Sequence, residues 1–112
     1  MTLLIKTLFW LACTAVTAAS LAPTEYLPPV FNWWDKAQHT LAFLVLGLMG
    51  YWAYGQKNRT WILVGLLALG GLIEIAQAAT GWRYGDLADL LADGVGLLLA
   101  ALLIWIKSTL QA

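Results

Sequence analysis

The 112 residues are 62% apolar and only 11% charged, with a mean hydropathy of +0.77. A soluble domain carries about 25% charged residues, so the composition excludes an ordinary water-soluble globule and places the chain among membrane proteins. Six basic and six acidic side chains cancel, which excludes long-range attraction to nucleic acid, and the length suits one domain with no soluble catalytic domain beside the spans.

The first apolar stretch covers residues 3–21. Its continuous apolar run predicts a helix, because an alternating strand in an open sheet cannot satisfy its backbone in lipid. A rival reading is a cleaved signal peptide: Lys6, an apolar core and the small residues Ala18, Ala19, Ser20 and Ala22 resemble one. Cys13, the single cysteine, lies inside this run, so an intrachain disulfide and a CxxC motif are both excluded; it reads as a packing residue.

Residues 22–34 form the first connection. Pro23, Pro28 and Pro29 oppose a helix, and Tyr26, Phe31, Trp33 and Trp34 suit a segment lying in the membrane interface. A second span is expected over 38–54, a third over 61–80 and a fourth over 87–106. Each stretch is about 17 to 20 residues, or roughly 26–30 Å as a helix, enough for a hydrocarbon core. The expected fold is therefore all-α, a transmembrane bundle of four helices. Residues 55–59 make a short basic turn and 81–85 a tight turn flanked by glycines. Gly47, Gly50, Gly70, Gly71, Gly94 and Gly96 are read as small residues that let helices approach closely.

With four spans, Lys6, Lys57, Arg59 and Lys107 fall on one side, and Lys36 and Arg83 on the other. The basic excess predicts both termini in the cytoplasm of a multi-pass protein of the cell (inner or cytoplasmic) membrane. The acidic groups then gather at the outer face. Lys36, His39 and Phe43 share a face of the second span by their i, i+3, i+7 spacing. Glu74 and Gln77 sit near the end of the third. Asp86, Asp89 and Asp93 form one stripe at the start of the fourth. Asp35 marks the water boundary, and Arg83 lies in the turn between the last two spans. Asp35, Lys36, His39, Glu74, Gln77, Arg83, Asp86, Asp89 and Asp93 are thus expected to converge at one end of the bundle.

Some of these residues have simple structural explanations. Asp86 is a good N-cap and Asp89 fits a capping box; both suit the positive end of a helix dipole. Lys36 can snorkel to water, and His39 can serve as a hydrogen-bonded packing residue. Glu74 and Asp93 lie too deep for capping to explain them. Ionisable groups at such depth are costly and are kept when paired, solvated or used.

The pattern Asp35-Lys36-x-x-His39-x-x-x-Phe43-x-x-Leu46-Gly47, followed by Glu74-x-x-Gln77-x5-Arg83-x-x-Asp86-x-x-Asp89-x-x-x-Asp93-x-x-Gly96, resembles the VanZ-like family of small bacterial integral membrane proteins. The likeness covers most of residues 34–106. The family more often has asparagine where Asp93 stands, and a glycine where Ala100 stands. The resemblance implies about four helices and a relation to an accessory factor that lowers susceptibility to teicoplanin, a lipoglycopeptide acting on lipid-linked wall precursors. It transfers motif positions but no catalytic residues.

The residues support a binding module first: an ion-paired network whose outward pocket takes an anionic lipid or envelope-precursor headgroup through Lys36, His39 and Arg83, with an expected link to envelope homeostasis or glycopeptide susceptibility. The alternative is a membrane-embedded hydrolase or transferase acting on a lipid-linked phosphate. In that case His39 is a general base oriented by a carboxylate, or His39 with Glu74, Asp89 and Asp93 supplies ligand types for a divalent cation. No HExxH or phosphatase motif is present, and neither a metal nor another cofactor is expected from the sequence. A transporter is the third reading, weakened because the ionisable groups lie toward one end. Membrane lipids are the expected partners; the oligomeric state is open.

Overall fold

The computed structural model describes residues 2–22, 35–81 and 87–111, apart from the side chains of Asp35, Lys36 and Gln56. The aromatic connection over 23–34 and the turn over 82–86, with Arg83 and Asp86, lie outside the described residues. Four α-helices account for nearly all of what is described: α1 (Thr2–Leu21), α2 (Asp35–Tyr54), α3 (Arg59–Thr80) and α4 (Leu87–Gln111), with a short 3-10 turn, Gln56–Asn58, before α3. This is the expected all-α bundle. Helices α1, α3 and α4 are each long and apolar enough to cross a membrane. Helix α2 is as long as α1, but Asp35, Lys36, Gln38 and His39 make its first turns polar. It packs against all three other helices, most extensively against α4. The most polar helix is therefore the one most supplied with protein neighbours, as expected where lipid cannot solvate a polar side chain.

The exterior is apolar. Leu3, Trp10, Trp52, Trp61, Leu72, Ile75, Leu98 and Trp105 are among the large side chains left exposed, which suits a surface whose solvent is acyl chain. The core runs from Phe9 and Cys13 of α1 through Phe43 and Leu46 of α2 and Leu66 and Ile73 of α3 to Leu97 of α4. Helix α1 is thus a packed member of the bundle, and Cys13 has the packing role read from its position.

Helix α2 ends on Gly55 at φ +83°, and Gly81 at φ +83° terminates α3; both adopt the left-handed geometry that favours glycine. The short loop between α2 and α3 makes them antiparallel neighbours. Side-chain hydrogen bonds tie the start of α2 to the start of α4, and the end of α3 to the end of α1. Four helix tips therefore share one end of the bundle. At the other end the indole of Trp10 donates to the Tyr54 hydroxyl at 2.6 Å, Lys6 lies 5.0 Å from the Tyr54 ring centre and Lys107 lies 5.8 Å from that of Tyr51.

Close approach of α2 and α4 depends on Gly96. A Cβ there would strike the Thr40 carbonyl and come within 2.9 Å of the Leu44 amide nitrogen. The helices touch backbone to backbone at that point, and the Thr40 hydroxyl donates to the Ala92 carbonyl at 3.0 Å one turn away. Gly47, Gly50, Gly70 and Gly96 serve the expected packing role, whereas a Cβ on Gly71 or Gly94 would meet nothing within 4 Å. Those last two glycines lie on faces turned away from the neighbouring helices.

Candidate functional site: a buried polar cluster at one end of the bundle

Among the described residues, five polar ones are buried where the helix tips meet: His39 (8% exposed), Glu74 (9%), Gln77 (1%), Asp89 (4%) and Asp93 (0%). They come from α2, α3 and α4. They sit inside a bundle whose exterior carries many large apolar side chains.

The centre of the cluster is a bond between His39 and Asp93. Nδ1 of the imidazole lies 2.8 Å from Oδ1 of the carboxylate. With a carboxylate as acceptor, Nδ1 carries the proton and donates. Such charge-assisted bonds are stronger than neutral ones, and the low local dielectric strengthens them further. Asp93 is fully enclosed because α3 offers it a flat surface: a Cβ on Gly70 would lie 2.7 Å from Asp93 Oδ2. Gly70, Glu74 and Gln77 are spaced i, i+4, i+7 and form one stripe of α3. That stripe seats the Asp93 carboxylate on Gly70 and places Glu74 one turn further on. Donor atoms of His39, Glu74 and Asp93, one from each, all lie within 4.8 Å of one another.

Gln77 links the cluster to α1. Its Nε2 donates to the Ser20 carbonyl at 2.8 Å, one of the carbonyls that a helix end leaves without an intrahelical donor. Its Oε1 is buried and makes no hydrogen bond among the described residues. Asp89, one turn before Asp93, is in the first turn of α4, where a carboxylate suits the helix dipole, yet it is buried among the helices.

The structure thus brings His39, Glu74 and Asp93 into one group and buries Gln77 and Asp89 on the same stripes. Asp35 and Lys36 occupy the first turn of α2, and their side chains lie outside the description, as do Arg83 and Asp86 with the capping role read for Asp86. Gly70, Ser20 and Thr40 take part in the arrangement without having been singled out for it. The 70, 74, 77 spacing was the available signal for Gly70. Nothing in sequence marks a main-chain acceptor such as that of Ser20. A separate groove of about 600 Å³ lies between α1 and α3, lined by Phe9, Trp10, Cys13, Trp61 and Leu66 among others; it is apolar and distinct from the polar cluster.

An all-α membrane bundle with an apolar exterior and a buried His–carboxylate cluster at one end defines a class of small integral membrane proteins. Within that class the chain belongs to the VanZ/LLP1 family, whose profile matches residues 3–108 and so includes all four helices. No curated protein and no solved structure matches the chain.

Proposed function

We propose that this VanZ-like protein resides in the cell (inner or cytoplasmic) membrane with both termini in the cytoplasm, and that its polar end forms an outward pocket for an anionic lipid or envelope-precursor headgroup. The observation that carries this reading is the buried group of His39, Glu74 and Asp93 inside a bundle whose outer surface is apolar. Such a group is costly in a membrane and is retained for use or for pairing. In this reading Lys36 and Arg83 supply positive charge at the mouth. Asp93 fixes the His39 ring, and Glu74, Asp89 and Asp93 orient the cations. Headgroup recognition links the protein to envelope homeostasis and to glycopeptide susceptibility.

The test is binding in nanodiscs of phosphatidylcholine doped with phosphatidylglycerol or undecaprenyl phosphate. Saturable binding of one anionic lipid that Lys36→Ala and Arg83→Ala each weaken at least about tenfold, an ionic contact of about 1.4 kcal/mol, supports the proposal. Equal affinity for neutral and anionic headgroups contradicts it. For the cellular role, loss of the chain is expected to change teicoplanin susceptibility; an unchanged inhibitory concentration removes that link.

The His39–Asp93 geometry favours a second reading, a hydrolase or transferase acting on a lipid-linked phosphate. A carboxylate on Nδ1 fixes the tautomer in which Nε2 is basic, the arrangement of a general base oriented by a third group. Release of phosphate from polyprenyl phosphates, abolished by His39→Gln, would support it; no turnover by folded protein would contradict it.

A further inference from the structure

We propose that His39, Glu74 and Asp93 form a binding site for one divalent transition-metal cation of the zinc or manganese class, built from three different helices. The inference goes beyond headgroup binding and does not rest on it.

Geometry comes first. Donor atoms of the three residues lie within 4.8 Å of one another, and the His39–Asp93 pair is at 2.8 Å. A cation about 2.0–2.2 Å from each nitrogen and oxygen ligand needs donor atoms roughly 3.4 Å apart in a tetrahedral arrangement. Seating the ion opens the His39–Asp93 pair from 2.8 Å by roughly 0.6 Å, and a ring nitrogen ligates only in the tautomer in which it carries no proton, so ligation through Nδ1 moves that proton to Nε2. Zinc and manganese both accept imidazole and carboxylate ligands, whereas a site for calcium or magnesium is built from oxygens alone.

Charge is the second support. A neutral imidazole with two carboxylates carries two negative charges, which a divalent cation neutralises.

The surroundings supply the third support. All three donors are already desolvated, so a bound cation meets little competition from water. Gly70 lets the Asp93 carboxylate sit against α3, where a Cβ would lie 2.7 Å from Oδ2. One turn beyond Glu74, the buried Gln77 Oε1 meets no hydrogen donor among the described residues. With Nε2 committed to Ser20, that oxygen is left as a buried acceptor at the same end of the bundle. Because the three donors are separated by 35 and 19 positions in the chain, no linear motif such as HExxH announces them.

The experiment uses the full chain, purified without a polyhistidine tag, stripped with chelator and returned to nanodiscs. It is titrated with Zn2+ and Mn2+ against a chromophoric chelator, with Mg2+ as control. The expected result is one Zn2+ or Mn2+ per chain, with affinity falling at least about 100-fold in His39→Ala and Glu74→Gln, and little response to Mg2+. Should either variant fail to fold, X-ray absorption on the zinc-loaded natural sequence decides: one imidazole with oxygen neighbours supports the site, and a shell without imidazole overturns it. The proposal is also overturned if the folded natural chain takes up neither metal stoichiometrically, or if folded His39→Ala binds as tightly. Headgroup binding is measured separately on the stripped protein, so either proposal can fail while the other stands.

Discussion

Replacing Gly70 and, separately, Gly71 by alanine isolates the seat of the Asp93 carboxylate. The two positions are adjacent in α3, and both gain helix propensity, about 0.8–1 kcal/mol in an interior turn. Only Gly70 is in contact: its added Cβ would lie 2.7 Å from Asp93 Oδ2, whereas that of Gly71 meets nothing within 4 Å. Restoring an ordinary separation of about 3.5 Å displaces the carboxylate by roughly 0.8 Å. Asp93 is fully buried, so its displacement is felt by its neighbours and not taken up in solvent. If Oδ1 moves with Oδ2 and along the bond, its distance from His39 Nδ1 grows from 2.8 Å to as much as about 3.6 Å, beyond hydrogen-bond range. Losing a bond to a charged group costs about 1.5–3 kcal/mol. Gly70→Ala is therefore expected to be less stable than the natural chain by about 0.5–2 kcal/mol, the lost bond less the propensity gain. Gly71→Ala is expected to be more stable by up to about 1 kcal/mol. Reversible unfolding in mixed micelles, followed by circular dichroism, measures both. Coincident curves, or a Gly70→Ala more stable than Gly71→Ala, would refute the reasoning.

The same logic applies to α4. Gly96→Ala drives a Cβ into the backbone of α2 at Thr40 and Leu44, so the helices must part, and overpacking of this kind costs about 1–3 kcal/mol or more; Gly94→Ala, whose Cβ would meet nothing within 4 Å, is the control and should unfold no earlier than the natural chain. Gln77→Leu removes the bond to the Ser20 carbonyl and should cost about 0.5–1.5 kcal/mol. It should also speed amide hydrogen exchange selectively over the last turn of α1, and unchanged exchange there would count against a Gln77 anchor.

Much of this architecture is legible in the residues because hydrophobicity in a membrane is a length signal. The stretches at 3–21, 61–80 and 87–106 lie within α1, α3 and α4, which extend a few residues further at their polar ends. The common end of the polar residues follows from counting spans. The rotation of each helix is harder to read. With lipid outside and apolar side chains inside, Leu66 in the core and Leu67 on the surface differ in nothing but position, so only rare polar residues and glycines reveal the inward face. Gly70 and Gly71 look alike until Glu74 and Gln77 set the phase of α3. That His39 meets Asp93, with Gly70 behind the carboxylate, depends on the axial rotation of three helices, and no spacing within one helix encodes it. The sequence also suggests a convergence that includes Lys36 and Arg83; the described part of it is the group of His39, Glu74, Gln77, Asp89 and Asp93.

The account depends most on the direct bond between His39 and Asp93. A double-mutant cycle on the metal-free protein, with His39→Phe, Asp93→Leu and the pair, measures it by unfolding in micelles. The predicted coupling is at least about 1 kcal/mol, within the range of residues in contact, because each single change breaks the bond while leaving one of its two buried polar groups, and the pair removes both. Single effects that sum to the double within about 0.3–0.5 kcal/mol would mean that the two side chains do not meet, and the polar cluster would lose its centre.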